Sequence, residues 1–395
     1  MPDVFLTAEE LAFRDRYRKF LQEEIVPLKI VERMDSEAME YPTEFIRRCG
    51  EAGYLGLAIA REWGGQGLDT VHEVLASEET GVLSTGLVCA RGMPTYMGKA
   101  LERYGTPEQK ERYLVPVMKG EKIVAEALTE PVAGSDLAGI KTKAVRDGDH
   151  YVITGEKRFQ AGGIGADFFL VLAVTDPAAG HRGLSFFIVE REMGITVEEK
   201  YRLLGFRGMG ASRLGLKEVR VPRANLLGEE GQGWEIFNYL IRTERLCEAA
   251  GNIGAGREAL RIAAEYSDTR RAFGRKLRDF QAISFRLAEM VTAVDAGRLL
   301  LLRAARKMDR GEWAMKEVAQ AKFFASEAGY RAVDFALQVL GGIGYTSQYP
   351  LERFLRDTRV VLIYTGSSEI QRLIAAREIY REVLREAARG RGTAP

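Results

Sequence analysis

Between residues 126 and 232 the chain changes periodicity, and that change restricts its fold more than any other feature. Upstream the pattern is helical. Thr7 with Glu10 spells a capping box, and Thr106, Pro107 and Gln109 mark a second helix start. The middle stretch is made of short alternating or apolar runs, HYVITG, DFFLVLAVT, GLSFFIVE and ASRLGLKEVRVP, punctuated by Asp147-Gly148 and Pro222. From Gly233 to Ala388 long helical patterns rich in Ala, Leu, Arg and Glu return, interrupted by Gly341, Gly342 and Gly344. Helices, then strands, then helices make an α+β chain. The expected division is a helical domain over 1–125, a β domain over 126–232 and a helical domain over 233–388. The tail RGRGTAP, 389–395, has too little apolar content to pack and is expected to fray.

A length of 395 residues is long for a single core, which agrees with several packed domains. The net charge of +1 speaks against nucleic acid as the main partner, since phosphate binding calls for a concentrated basic field. Cys49, Cys89 and Cys247 are widely spaced, and with only three histidines beside them no metal site is expected. The start MPDVFLTAEE lacks the order of a secretory signal, and no apolar run reaches membrane length. The chain is therefore expected in the cytoplasm, without membrane insertion.

On the helix opening near Gly233, residues Phe237, Leu240, Ile241, Cys247 and Gly251 fall in one apolar stripe, with Glu244 at its centre. Burial disfavours the charged form of a carboxyl group, a known way to prepare a general base. The helix alone favours the plainer reading, a buried glutamate paired with Arg242, Arg245 or another cation, and Glu248 lies close to the stripe as well. The glycine clusters GNIGAG, GFRGMG and GGIG do not follow a strand and open a helix, so turns and close helix packing explain them better than phosphate loops. ALTEPVAGSD, at 127–136, puts Thr129, Gly134 and Ser135 where the helical domain meets the β domain, a kind of junction that often holds small molecules, although the residues alone read more readily as a turn.

These segments, with GDHYVITGEK, VPRANLLGEEGQGW, TRRAFGRKLRDFQAIS, QVLGGIGY and YTGSSEIQRLIAAREI, resemble the acyl-CoA dehydrogenases in order and spacing over nearly the whole chain. The resemblance implies an N-terminal helical domain, a β-barrel-like middle domain and a C-terminal four-helix bundle, assembled as a homotetramer or homodimer. It also implies FAD as cofactor, an acyl-CoA substrate and electron-transferring flavoprotein as the acceptor that empties the reduced flavin. In that family a carboxylate removes the α proton while the β hydride passes to FAD. Many members place the base directly after the tyrosine of the C-terminal motif, where this chain has Thr365. The isovaleryl-CoA and long-chain members use a Glu-Arg pair on the first long C-terminal helix, which matches Glu244-Arg245.

By the same resemblance, Leu128 and Thr129 meet the flavin pyrimidine edge, Gly134 and Ser135 lie near the pyrophosphate or the CoA moiety, and the Thr365 N–H polarises the thioester carbonyl. Arg242, Arg245, Tyr364 and Gly366 join the substrate side. Arg270, Phe273 and Gln281 reach the FAD of a neighbouring subunit, Gln338, Gly341 and Gly342 approach its adenine half, and Ser367 and Glu369 follow the adenosine-contacting pattern. Helix capping would account for the last two equally well. Where many relatives read Lys-x-Trp-Ile-Thr-Asn, this chain has Lys157-Arg158-Phe159-Gln160-Ala161-Gly162. Phe159 thus replaces the tryptophan that covers the flavin, and Ala161 lacks the hydroxyl facing its reducing nitrogen. Arg242 also stands where several relatives carry Asp. The leading expectation is a dehydrogenase acting on a branched or medium-to-long acyl-CoA. A flavin oxidase or monooxygenase on the same fold, and a non-catalytic flavin or acyl-CoA binding protein, are the alternatives.

Overall fold

The computed structural model describes residues 4–391. The expected start signals are used as read. Helix α1 (Ala8–Phe20) opens with the Thr7 hydroxyl accepting from the Glu10 N–H while the Glu10 carboxylate accepts from the Thr7 N–H at 2.8 Å. The helices α2 (Ile30–Asp35), α3 (Thr43–Glu51), α4 (Thr70–Gly81) and α5 (Thr85–Tyr104) follow. Thr106 and Gln109 form the second reciprocal cap, on the short turn α6 (Pro107–Gln109), before α7 (Val115–Met118).

The strands are β1 (Val124–Ala127), β2 (Lys143–Asp147), β3 (His150–Gln160), β4 (Phe168–Val174), β5 (Leu184–Glu190), β6 (Thr196–Lys200), β7 (Ser212–Pro222) and β8 (Leu226–Leu227). They form one eight-stranded sheet ordered β6-β7-β3-β2-β4-β5-β8, with β1 added parallel to β4. Asp147-Gly148 makes the hairpin turn the sequence announces, Gly148 taking φ +59°. The apolar runs of β4 and β5 are buried almost throughout, which explains why they do not alternate.

Helix α8 (Gly233–Thr269) leads to a small hairpin, β9 (Arg271–Ala272) with β10 (Arg275–Lys276), then α9 (Gln281–Asp309), α10 (Met315–Leu340), α11 (Leu351–Val360) and α12 (Ser368–Arg391). Helix α12 continues through Arg391, so the first part of the tail expected to fray is helical, and residues 392–395 lie outside the described residues. Among the described residues no helix is long and apolar enough to cross a membrane.

By contacts the chain divides into two compact units, Met1–Glu73 with Gly86–Glu244 and Val74–Thr85 with Arg245–Pro395. The first holds the sheet with α1 to α3 and α5 to α7, while most of α4 belongs to the second. In the second, Ala255, Ala259 and Ile262 of α8, Val333, Ala336 and Leu340 of α10, and Leu351 and Phe354 of α11 form a buried cluster. The GNIGAG segment is close helix packing, as expected. A Cβ on Gly254 would lie 2.0 Å from the Glu78 carbonyl oxygen, and one on Gly329 2.2 Å from that of Asn252.

Candidate active site

In the first unit, ALTEPVAGSD is pinned by a buried lysine. Lys157, 0% exposed, donates to the Leu128 carbonyl (3.0 Å), the Glu130 carboxylate (2.8 Å) and the Leu172 carbonyl (2.7 Å). Glu130 also accepts from the N–H groups of Lys141 (2.5 Å) and Thr142 (3.0 Å). Burial would raise its carboxyl, but the Lys157 charge and these donors hold it below the usual range. Burial pushes the Lys157 ammonium down to about 8, against the pull of Glu130. Gln160 completes the clamp: its oxygen accepts from the Leu128 N–H (3.2 Å) and its nitrogen donates to the Thr129 carbonyl (3.1 Å). The Arg158 N–H reaches the same carbonyl at 2.7 Å. Lys157, Glu130 and Gln160 were not among the residues expected at the site, although Lys157 and Gln160 stand in the KRFQ segment that departs from the family pattern.

The register of β3 against β7 shifts between Lys157 and Gln160, and in that bulge Phe159 takes φ +59° with 60% of its surface exposed. A left-handed phenylalanine costs of order 1–3 kcal/mol and persists only where its surroundings impose it. Its ring lies 5.0 Å from that of Tyr201. The structure therefore brings Leu128 and Thr129 together with the 158–160 segment, and turns an aromatic face outward beside them. Ala161 follows, half-buried, and Gly134 and Ser135 are exposed on the loop after Thr129. A Cβ on Gly134 would meet nothing within 4 Å, leaving its backbone open to a ligand. These residues fit the flavin that the resemblance implies.

Helix α8 differs from the expected stripe, because it is buried on every side from Leu240 to Gly256, polar residues included. Glu244 is 3% exposed. Arg242 is buried too, its guanidinium 5.5 Å from the Tyr239 ring centre, with Arg103 5.1 Å from the same ring. Tyr104, on α5, donates to Glu235 at 3.1 Å.

In the second unit, Glu248 accepts a short hydrogen bond from the Tyr364 hydroxyl. The carboxylate that competed with Glu244 for the catalytic role is thereby engaged. Arg245 donates to the Thr365 carbonyl at 3.0 Å and contacts the Met315 sulfur at 3.5 Å. Lys322, fully buried, donates to the carbonyls of Val361 (2.7 Å), Tyr364 (3.0 Å) and Gly366 (2.9 Å), and Gln371 donates to that of Gly366 at 3.1 Å. With its carbonyls turned toward these donors, and Thr365 and Gly366 at φ +54° and +87°, the loop is organised by donors that the sequence reading did not include.

The remaining expected residues of this unit are exposed: Arg270, Phe273, Gln281, Gln338, Gly341, Gly342 and Glu369. Gln338 lines a cavity of about 620 Å³ with Leu277, Ile283, Arg286 and Asp334. Nothing lies within 4 Å of a Cβ on Gly341 or Gly342. Ser367, at the start of α12, accepts from the Ile370 N–H at 3.4 Å, the capping geometry that was the alternative to a ligand contact.

Family models describe matching stretches of this chain as the acyl-CoA dehydrogenase N-terminal domain (residues 7–121), middle domain (125–219) and C-terminal domain (231–380). The chain is 38% identical over 377 residues to an acyl-CoA dehydrogenase of Bacillus subtilis, covering 95% of this chain and 98% of that one. It is 36% identical over 381 residues to a short-chain specific acyl-CoA dehydrogenase of Clostridium acetobutylicum, covering 96% and 100%. It superposes on the butyryl-CoA dehydrogenase of Megasphaera elsdenii with a TM-score of 0.90 at 33% identity, covering 96% and 100%.

Proposed function

Because this chain belongs to the acyl-CoA dehydrogenase family, a family of FAD-dependent oxidoreductases, we propose that it desaturates an acyl-CoA thioester between Cα and Cβ with Glu244 as base. The observation that carries the assignment is the state of the competing positions. Thr365 cannot act as base where many relatives have theirs, and Glu248 is engaged by Tyr364. Glu244 sits in the buried stretch of α8, where burial disfavours the charged form of a carboxyl group, as suits a general base.

When bound, FAD would supply the acceptor for the hydride that leaves Cβ. Leu128, Thr129 and the exposed face of Phe159 would hold its ring system, and Gly134 and Ser135 would serve its phosphates or the CoA moiety. Glu244 takes the α proton, and the Thr365 N–H polarises the thioester carbonyl so that the developing negative charge is stabilised. Arg245 and Lys322 are positioning residues: Lys322, through the Tyr364 carbonyl, holds the peptide that carries the Thr365 N–H, and Arg245, through the Thr365 carbonyl, holds the peptide that follows it. Arg270, Phe273, Gln281, Gln338, Gly341 and Gly342 serve the cofactor of a second copy, which makes a homotetramer or homodimer part of the proposal. So are the division at 1–125, 126–232 and 233–388, and electron-transferring flavoprotein as acceptor.

The relatives named for short-chain and butyryl-CoA substrates make short acyl groups the first to test, with branched and longer chains beside them. FAD-loaded wild type and Glu244→Gln are mixed anaerobically with a panel of saturated acyl-CoAs while the oxidised flavin absorbance is followed. Rapid bleaching by one acyl class, lost in the variant, is expected. Bleaching that survives in Glu244→Gln refutes this base, and no bleaching with any thioester refutes the dehydrogenase. One observation favours a second reading: with Ala161 no hydroxyl is offered to the flavin's reducing nitrogen, as an oxidase would permit. Reoxidation of the reduced protein by air within a turnover would support the oxidase.

A further inference from the structure

Strand β1 buries all of its side chains but one. Val124, Ala125 and Ala127 are fully buried, while Glu126 keeps partial exposure. One of its carboxyl oxygens, Oε2, is nonetheless shielded and has no hydrogen-bond partner among the described residues. A shielded carboxyl oxygen without a donor costs free energy, so its retention points to a use outside the folded core.

Alternation along an extended segment says where it is directed. Ala125 and Ala127 share one side, and the Ala125 methyl lies 3.5 Å from where a Gly162 Cβ would stand. Glu126 and Leu128 share the other. The strand that pairs with it supplies no counter-charge: β4, which pairs Glu126 with Leu170, carries no titratable side chain from Phe168 to Val174. On β3, Lys157 is committed to Glu130, and Arg158 pairs with Glu156 at 2.9 Å.

We propose that Glu126 is a further reaction-site residue, a carboxyl group that faces the bound flavin and acyl thioester from β1 and gives the site a second proton-holding position besides Glu244. The proposal rests on the reading that Leu128 borders the flavin. With burial as the cause, the Glu126 carboxyl is raised to about 7. The group is thus a neutral hydrogen-bond donor on the acid side of neutrality and an anion on the alkaline side. Its ionisation places a negative charge beside the isoalloxazine ring, which the visible absorption of the flavin reports without any turnover.

The FAD-loaded protein, free of substrate, is titrated from pH 5.5 to 8.5 while the oxidised flavin spectrum is recorded for wild type, Glu126→Gln, Glu126→Met and Glu244→Gln. A spectral transition centred near 7 is expected in wild type and in Glu244→Gln, and is expected to be lost in both Glu126 variants. Two variants are used so that failure of one to fold leaves the other to decide. A flat wild-type titration, or a transition that persists in the Glu126 variants, overturns the proposal. A transition lost only in Glu244→Gln assigns it to that residue and also overturns it. Failure of the wild type to retain FAD is a different result: it removes the flavin reading itself.

Discussion

A lysine shut away from water is tolerable only where its protons find acceptors, and Lys157 meets that condition with two carbonyls and a carboxylate. Removing one partner of such a pair leaves a buried charge uncompensated, which typically costs about 3–5 kcal/mol. Lys157→Met is therefore expected to lower unfolding stability in urea by that amount, and the double variant Lys157→Met with Glu130→Gln to recover part of it. A loss no larger than that of an exposed lysine would refute the clamp. The pH dependence has a definite sign. Glu130 titrates lower in the folded protein than the ordinary glutamate value of 4.5, so its contribution is complete above that pH. As the pH falls through the folded value, the unfolded chain has taken up the proton first, and the contribution is lost. The stability advantage of wild type over Glu130→Gln should thus shrink below about pH 4.5, as read from denaturant midpoints at successive pH values.

At the scale of elements, Gly329 and Gly342 offer opposite expectations. A Cβ on Gly329 runs into the backbone of Asn252, so Gly329→Ala must push α10 away from α8 and should cost about 1–3 kcal/mol. Nothing surrounds a Cβ on Gly342, and Gly342→Ala should leave unfolding stability within about 0.5 kcal/mol of wild type. Equal midpoints for the two would contradict the close packing. Thr7→Ala, which removes half of the reciprocal cap on α1, should cost about 1 kcal/mol. Caps of this kind were legible because they are local chemistry, and so were β3, β4, β5 and β7, whose alternation or apolar length exceeds what a turn can carry. Strand β6 was not: every residue from Thr196 to Lys200 is exposed, and its place is set by pairing with β7. The hairpin β9–β10 was too short to interrupt a helical reading. On α8 the sequence showed a stripe where the structure has a stretch, Leu240 to Gly256, buried on all sides. The burial of Glu244 was readable because the apolar residues around it were. The partners of Arg245, Glu248 and Lys322 were not, since each lies far along the chain.

At the scale of the whole molecule, the second unit exposes Phe273 at 95%, Phe285 at 61% and, on α12, Leu373, Tyr380, Val383 and Leu384. Apolar surface on that scale is expected to be covered by another copy of the chain. Sedimentation should return a multiple of the chain mass, and Phe273→Ser with Phe285→Ser should shift the distribution toward the monomer; a monomeric wild type would dismiss the assembly. All three cysteines are buried outside any disulfide, Cys49 and Cys89 in one unit and Cys247 in the other, and burial raises the Cys49 thiol to about 12. A thiol-specific reagent can reach them only when the surrounding structure opens. The chain thus carries built-in clocks: the pace at which each sulfur is labelled counts the openings of its own unit, with no residue to be engineered.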